Sequence, residues 1–397
     1  MNGAQPTQGT TVVNPQPQTT AAQGAGPFIQ YTYRGNAPMY QVGGTTQVWG
    51  STITQQLVPV SGYARRFRVR WGATGGAGTV VTAVNADAPF NLVQQVILND
   101  SQGNTILNLP GWEALKLIPL LSASYGLWRY GAPDSSPNYS APVVGANASG
   151  NFHFESWIPL EFAEAVGVLG MDNASVLPTL TWTVAGSATV YSTAPNTTLP
   201  ALTLEVDADY YWNPDNAGIL PPGLGSSRQW KLLAGTPQAA PGSALPITCP
   251  KFGGGFLDSI TIVSRRTDTN ARTDANWPSR LQLMIDGTQI CNETIDQVIA
   301  DMYNAYQFPS NADPYYNGGT ETIGARPVGV LTIPLKNNIS QVITGLDDSG
   351  RSYIPTTPGT NLQMSGTGWQ GGQAGQFNFI PGLVVPAGTL VTGQPEV

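Results

Sequence analysis

The chain has 397 residues, enough to bury a large core, and its length points to two or three domains. Only 10% of its residues are Asp, Glu, Lys or Arg, against roughly 25% in ordinary soluble domains, so a wide surface must be built from neutral polar side chains. The net charge of −7 excludes a general nucleic-acid binder, which needs a basic footprint, and 46 Gly with 33 Pro exclude a helical protein in favour of short strands joined by turns.

Residues 1–45 open with MNGAQPTQGTTVVNPQPQTTAAQGAGPF, rich in Gln, Thr, Gly and Pro and almost uncharged. Such a segment buries too little apolar surface to offset its ordering entropy and reads as a flexible N-terminal arm. It contains no charged n-region followed by an apolar core, so no secretory signal is readable. No uninterrupted apolar run in the chain approaches the ~18 residues of a membrane span.

Beyond the arm, strands dominate. Tyr63 to Trp71 alternates, with Phe67, Val69 and Trp71 opposed by Arg66, Arg68 and Arg70. These arginines are the densest basic feature. They read either as an inward-facing basic strand for anionic headgroups or genome phosphates, or as a solvated face with local acidic partners. Trp112 to Leu121 predicts a short helix, with Gly111 before it and Pro119 near its end; Asp134 to Ser149 predicts a long loop.

Thr179 to Val184 sets Leu180, Trp182 and Val184 against three threonines. In Ala201 to Trp212, Leu202, Leu204, Val206, Ala208, Tyr210 and Trp212 face one way and the polar residues the other. Asn213 to Pro246 is Pro/Gly/Ser/Asn-rich and predicts a loop. Residues 215–245 are therefore taken as the linker between domains 46–214 and 246–397. Glu293 to Tyr306 places Ile295, Val298, Ile299, Met302 and Tyr306 on one stripe at helical spacing.

The two halves rhyme in order. SGYARRFRVRW, NLVQQVILNDSQGNTI, the helix from Trp112 and ESWIPL are answered by GGFLDSITIVS, SRLQLMIDGTQI, the helix from Thr294 and VLTIPL. Asp100 corresponds to Asp286 and Pro159 to Pro334. The prolines cannot donate a ladder hydrogen bond and should close strands or lie at sheet edges. Trp112, Pro159, Asp286 and Pro334 thus define the repeat. The fold class expected is all-β: two eight-stranded jelly-roll sandwiches in tandem with short inserted helices.

Asn91 to Leu115, Phe152 to Ala165 and Leu204 to Pro214 resemble, in order and spacing, the strand–turn–helix, the Pro-Leu-ending strand and the closing strand of tectivirus-type double jelly-roll major capsid proteins. The resemblance covers roughly residues 62–214 and reaches the second half through the repeat. It implies a bacteriophage coat subunit that forms homotrimers with a pseudo-hexagonal outline. Such capsomers tile an icosahedral virion shell around an internal viral membrane and double-stranded DNA, alongside vertex or minor coat proteins. The subunit would be made in the host cytoplasm. The arm departs from the family, whose members often begin with a helical, membrane-facing segment.

The one histidine, His153, sits in an alternating strand with no Gly-x-Ser-x-Gly elbow and reads as structural. Cys249 and Cys291 lack partners at metal-ligand spacing, and no metal or cofactor is expected. Glu155 with Glu161, or Asp207 with Asp209, could serve a glycosidase as acid and base, although a solvated strand face explains the second pair. Asp347 to Gly350 reads as a turn rather than a calcium loop. The expectation is a non-enzymatic coat protein with no sequence-specific nucleic-acid binding. The alternative is a carbohydrate- or receptor-binding β-sandwich, such as a spike or minor coat protein.

Overall fold

The computed structural model describes residues 32–39, 45–58, 62–122, 134, 136–162, 165–171, 177–212, 220–221, 224–238, 247–248, 254–306, 326–335, 354–357, 359–369 and 375–385. Residues 1–31, Cys249 and the 347–350 turn lie outside them.

In the first half the strands run β1 (Tyr33–Pro38), β2 (Thr45–Gln47), β3 (Thr52–Gln56), β4 (Gly62–Thr74), β5 (Val81–Val84), β6 (Val93–Asn99), β7 (Thr105–Leu109), β8 (Gly145–Ala146), β9 (Phe152–Pro159), β10 (Leu169–Gly170), β11 (Thr179–Val184), β12 (Tyr191–Thr193) and β13 (Ala201–Trp212). The second half adds β14 (Ser227–Lys231), β15 (Leu233–Gln238), β16 (Ile247–Thr248), β17 (Gly255–Arg266), β18 (Pro278–Ile285), β19 (Thr288–Thr294), β20 (Val330–Pro334), β21 (Ile354–Thr356), β22 (Leu362–Trp369) and β23 (Gly375–Val385).

One pairing scheme is used twice. In the first half β13 lies between β1 with β2 and β4, and β4 also pairs with β9 and β10; the facing sheet runs β7–β6–β11–β3. In the second half β23 lies between β14 with β15 and β17, and β17 also pairs with β20 and β21; the facing sheet runs β19–β18–β22–β16. Corresponding strands follow the same chain order, and each half closes as a jelly roll of eight strand positions. The small sheet β12–β5–β8 has no counterpart among the described residues.

The sandwiches are joined edge to edge. Strand β14 pairs in parallel with β7, Trp230 opposite Leu107 and Lys231 opposite Asn108. This makes one ten-stranded sheet of the facing sheet of the first half and the β23-containing sheet of the second. Both β14 and β15 fall in the segment expected to be a loop, and β1 falls in the expected arm. Neither stretch has an apolar period of its own; their backbones extend because the edges of β23 and β13 supply the partners.

Local chemistry explains most element ends. Pro159 closes β9 opposite Arg66, and Pro334 closes β20 opposite Ser259. Asp286 and Gly287, with φ of 48° and 79°, form the two-residue turn between β18 and β19, and Asp286 accepts from the Asn361 N–H at 2.8 Å. At the equivalent Asp100 the carboxylate instead accepts from the N–H groups of Gln102 and Asn104, both at 2.8 Å, holding a longer turn.

The helix Ile295–Tyr306 starts at a capping box: Gln297 accepts from the Thr294 N–H at 2.9 Å, and Thr294 Oγ1 accepts from the Gln297 N–H at 3.3 Å. Val298 and Met302 point into the core. In the first half a π-helical turn, Glu113–Leu117, continues into a helix, Ile118–Ser122. Pro119 brings no N–H to the Leu115 carbonyl, and Ser156 Oγ donates to it instead.

The alternation in β11 puts Leu180, Trp182 and Val184 inside, with Trp182 edge-on to Trp71 at 6.0 Å between centroids. The alternation expected for β13 holds along the strand, but burial departs from it at the end. The register shifts between Asp209 and Tyr210, because β4 inserts Arg65 as an extra residue whose carbonyl accepts from the Leu160 and Glu161 N–H groups. Tyr210 still packs against the main core, while Tyr211, on the outer face, is buried against Ala165 and Val168 with its hydroxyl on Glu161, and Trp212 at the strand end is 43% exposed.

Candidate functional site

Two built features stand out: the seam between the sandwiches and the charged outer face of the β13–β4–β9 sheet. At the seam, Arg265 at the end of β17 reaches into the first half. Its Nη1 lies 2.6 Å from Asp87 Oδ2 and its Nη2 lies 2.8 Å from Glu113 Oε1. Arg272, in the loop after β17, binds Asp87 Oδ1 through Nε at 2.8 Å, and its guanidinium stacks 4.0 Å over the Trp112 ring. All five side chains are buried.

The local sequence makes this geometry possible. Asp87 stands at φ 66°, a left-handed conformation that Asp tolerates, and Glu113 begins the helical segment just behind Trp112. Two carboxylates face two guanidinium groups, so the cluster is neutral although it is buried. Burial pushes the Asp87 carboxyl up, but Arg272 and Arg265 outweigh it and hold Asp87 below the ordinary carboxylate range. Beside the cluster a cleft of about 850 Å³ is lined from both halves, including Asn91, Trp112, Arg266 and Gln376.

The charged face answers the question that β4 raised. Arg66 pairs with Asp209 at 2.7 Å and stacks 3.9 Å over Trp157. Arg68 pairs with Asp207 at 2.8 Å, and Arg70 bridges Glu155 at 2.9 Å and Glu205 at 3.0 Å. Arg34 of β1 adds a two-pronged contact to Asp209. Four arginines thus meet four carboxylates from neighbouring strands. The face is a neutral ladder and leaves little net field for phosphates.

The residues weighed for catalysis take structural places. Asp207, Asp209 and Glu155 belong to the ladder, while Glu161 accepts from Arg65, Tyr211 and the Ala165 N–H. The His153 side chain is exposed between buried Phe152 and Phe154. Burial first, then nearby Glu293, pushes the Cys291 thiol up to about 11, which keeps it protonated and a poor nucleophile. Among the described residues no group of three or more His, Cys, Asp and Glu is placed to hold a metal ion.

The seam was not legible in the sequence, because Asp87 lies 178 residues from Arg265 and 185 from Arg272. One signal was available: where charges are this sparse, a single acid inside an apolar stretch, such as Glu113 in GWEALKLIPLL, marks a buried ion pair.

No protein-family model and no curated protein sequence matches the chain. Its fold does match solved structures. The STIV MCP aligns with a TM-score of 0.58 at 15% identity, covering 89% of this chain and 97% of its own. The major capsid protein P2 of bacteriophage PM2 aligns with a TM-score of 0.50 at 9% identity, covering 91% and 100%. A chain of the PBCV-1 virus capsid aligns with a TM-score of 0.51 at 12% identity, covering 89% and 94%. These neighbours are double jelly-roll major capsid proteins, and the fold of this chain is the double jelly roll.

Proposed function

We propose that the chain is a major capsid protein of an icosahedral virus, a mechanical subunit whose role is to enclose a genome. The observation that carries this reading is the seam: two copies of one sandwich, joined by a shared sheet and a buried ion cluster, form a double block. The fold runs nearly end to end with those of the STIV MCP and the PM2 capsid protein P2. A block with two equivalent lobes suits trimers in which six lobes make a pseudo-hexagonal capsomer, and capsomers of that outline tile a closed shell.

We extend the proposal to homotrimers in a virion shell around double-stranded DNA and an internal membrane, with vertex or minor coat proteins completing it. The arginines of β4 are not assigned to membrane or genome, since each already holds a carboxylate. We place the boundary of the two sandwiches between β13 and β14, because β14 and β15 pair with β23 and belong to the second unit. Copy number tests the reading. Quantitative protein analysis of purified source particles should find this chain as the dominant species. A trace amount per particle would favour a spike or vertex protein and overturn the proposal.

A further inference from the structure

One end of the first sandwich carries a crown that the pairing scheme does not require. It is built around β12–β5–β8 from four segments, 45–57, 75–86, 136–152 and 184–204. Hydrogen bonds lock the segments together: Asn147 N–H to the Val80 carbonyl at 3.1 Å, Tyr191 hydroxyl to the Gly150 carbonyl at 2.6 Å, Thr79 N–H to Asn196 Oδ1 at 2.8 Å, and Trp49 Nε1 to the Pro200 carbonyl at 3.0 Å. None of the four contains an Asp, Glu, Lys or Arg. On this cap Val48, Val80, Val81, Val143, Val144 and Leu199 are between 39% and 68% exposed.

The fold does not demand a charge-free end. The second-half loop joining β17 to β18 carries Asp268, Arg272 and Asp274, whereas its first-half counterpart, residues 75–92, has one charge, Asp87, buried at the seam. Apolar side chains held rigidly in water, with no charge among them, mark a contact surface. Net charge selects the partner. Copies of a chain at −7 repel one another, and repulsion and desolvation cost least where neither copy presents a charge.

We infer that the crown of the first sandwich is a contact surface for a second copy of this chain. The inference rests on the reading of the chain as a self-assembling coat subunit and names where that assembly is held. The test compares the full chain with Val81→Lys/Val144→Lys, Val81→Thr/Val144→Thr and Gln102→Lys, the last placing charge on the exposed turn between β6 and β7 at the other end of the sandwich. Light scattering across a concentration series reads association, and circular dichroism checks the fold.

The expected result is a natural chain that associates, with a half-association concentration raised about tenfold or more by the lysine pair, less by the threonine pair, and not by Gln102→Lys. Folded lysine and threonine variants that associate like the natural chain would overturn the inference alone and leave the crown to a foreign partner. A natural chain that stays monomeric at every concentration would overturn both the inference and the coat-protein reading.

Discussion

Replacing Asp87 with Ala is expected to lower the free energy of unfolding by about 3–5 kcal/mol, because it leaves Arg265 and Arg272 buried with their shared counterion removed. The loss should be felt across both sandwiches, since Asp87 belongs to the first and its partners to the second. Denaturant unfolding followed through tryptophan fluorescence measures it. A cost below about 1 kcal/mol would mean that the seam is solvated rather than dry.

The same carboxyl sets an acid limb. Its native pKa lies below that of the unfolded chain, near 3.9, so below about pH 5 the unfolded chain takes up a proton that the native state refuses. The Asp87 contribution is therefore complete at neutral pH and falls away as the solution is acidified towards the depressed native value. Asp274, half-buried and held low by Arg326, acts with the same sign. In Asp87→Asn the acid limb should flatten by the share that belongs to Asp87.

The second large effect lies inside one sandwich. Trp182→Ala is expected to cost about 3–5 kcal/mol, since Trp182 is fully buried, sits between Ile53 and Val96 on flanking strands, and meets Trp71 edge-on. Unlike the Asp87 variant, it should leave the seam pairs intact and weaken the first sandwich selectively. Urea unfolding with a probe in each half separates the two. Equal loss in both halves would show that the sandwiches unfold as one unit regardless of where they are injured.

Much of this architecture was readable from residue order. Strands β11 and β13 announced themselves by period two, and the Asp100/Asp286 and Pro159/Pro334 correspondences located the repeat. What escaped was fixed by long-range partners. The packing of Ala165 and Val168 over Tyr211, which buries the outer face at the end of β13, leaves no mark on the strand's own alternation. Strands β14 and β15 occupy a Pro/Gly-rich stretch that extends only because β23 offers an edge, and two parallel residue pairs fuse the sheets. The arginines of β4 were visible; that Asp207, Asp209, Glu155 and Glu205 would face them depended on strand neighbours that no local pattern reveals.

Electron microscopy of the purified protein reads out whether each chain is a two-lobed block that associates. The coat-subunit proposal predicts three chains arranged as a six-lobed ring, two lobes from each. Particles showing one undivided lobe per chain, or isolated two-lobed chains at every concentration, would contradict it.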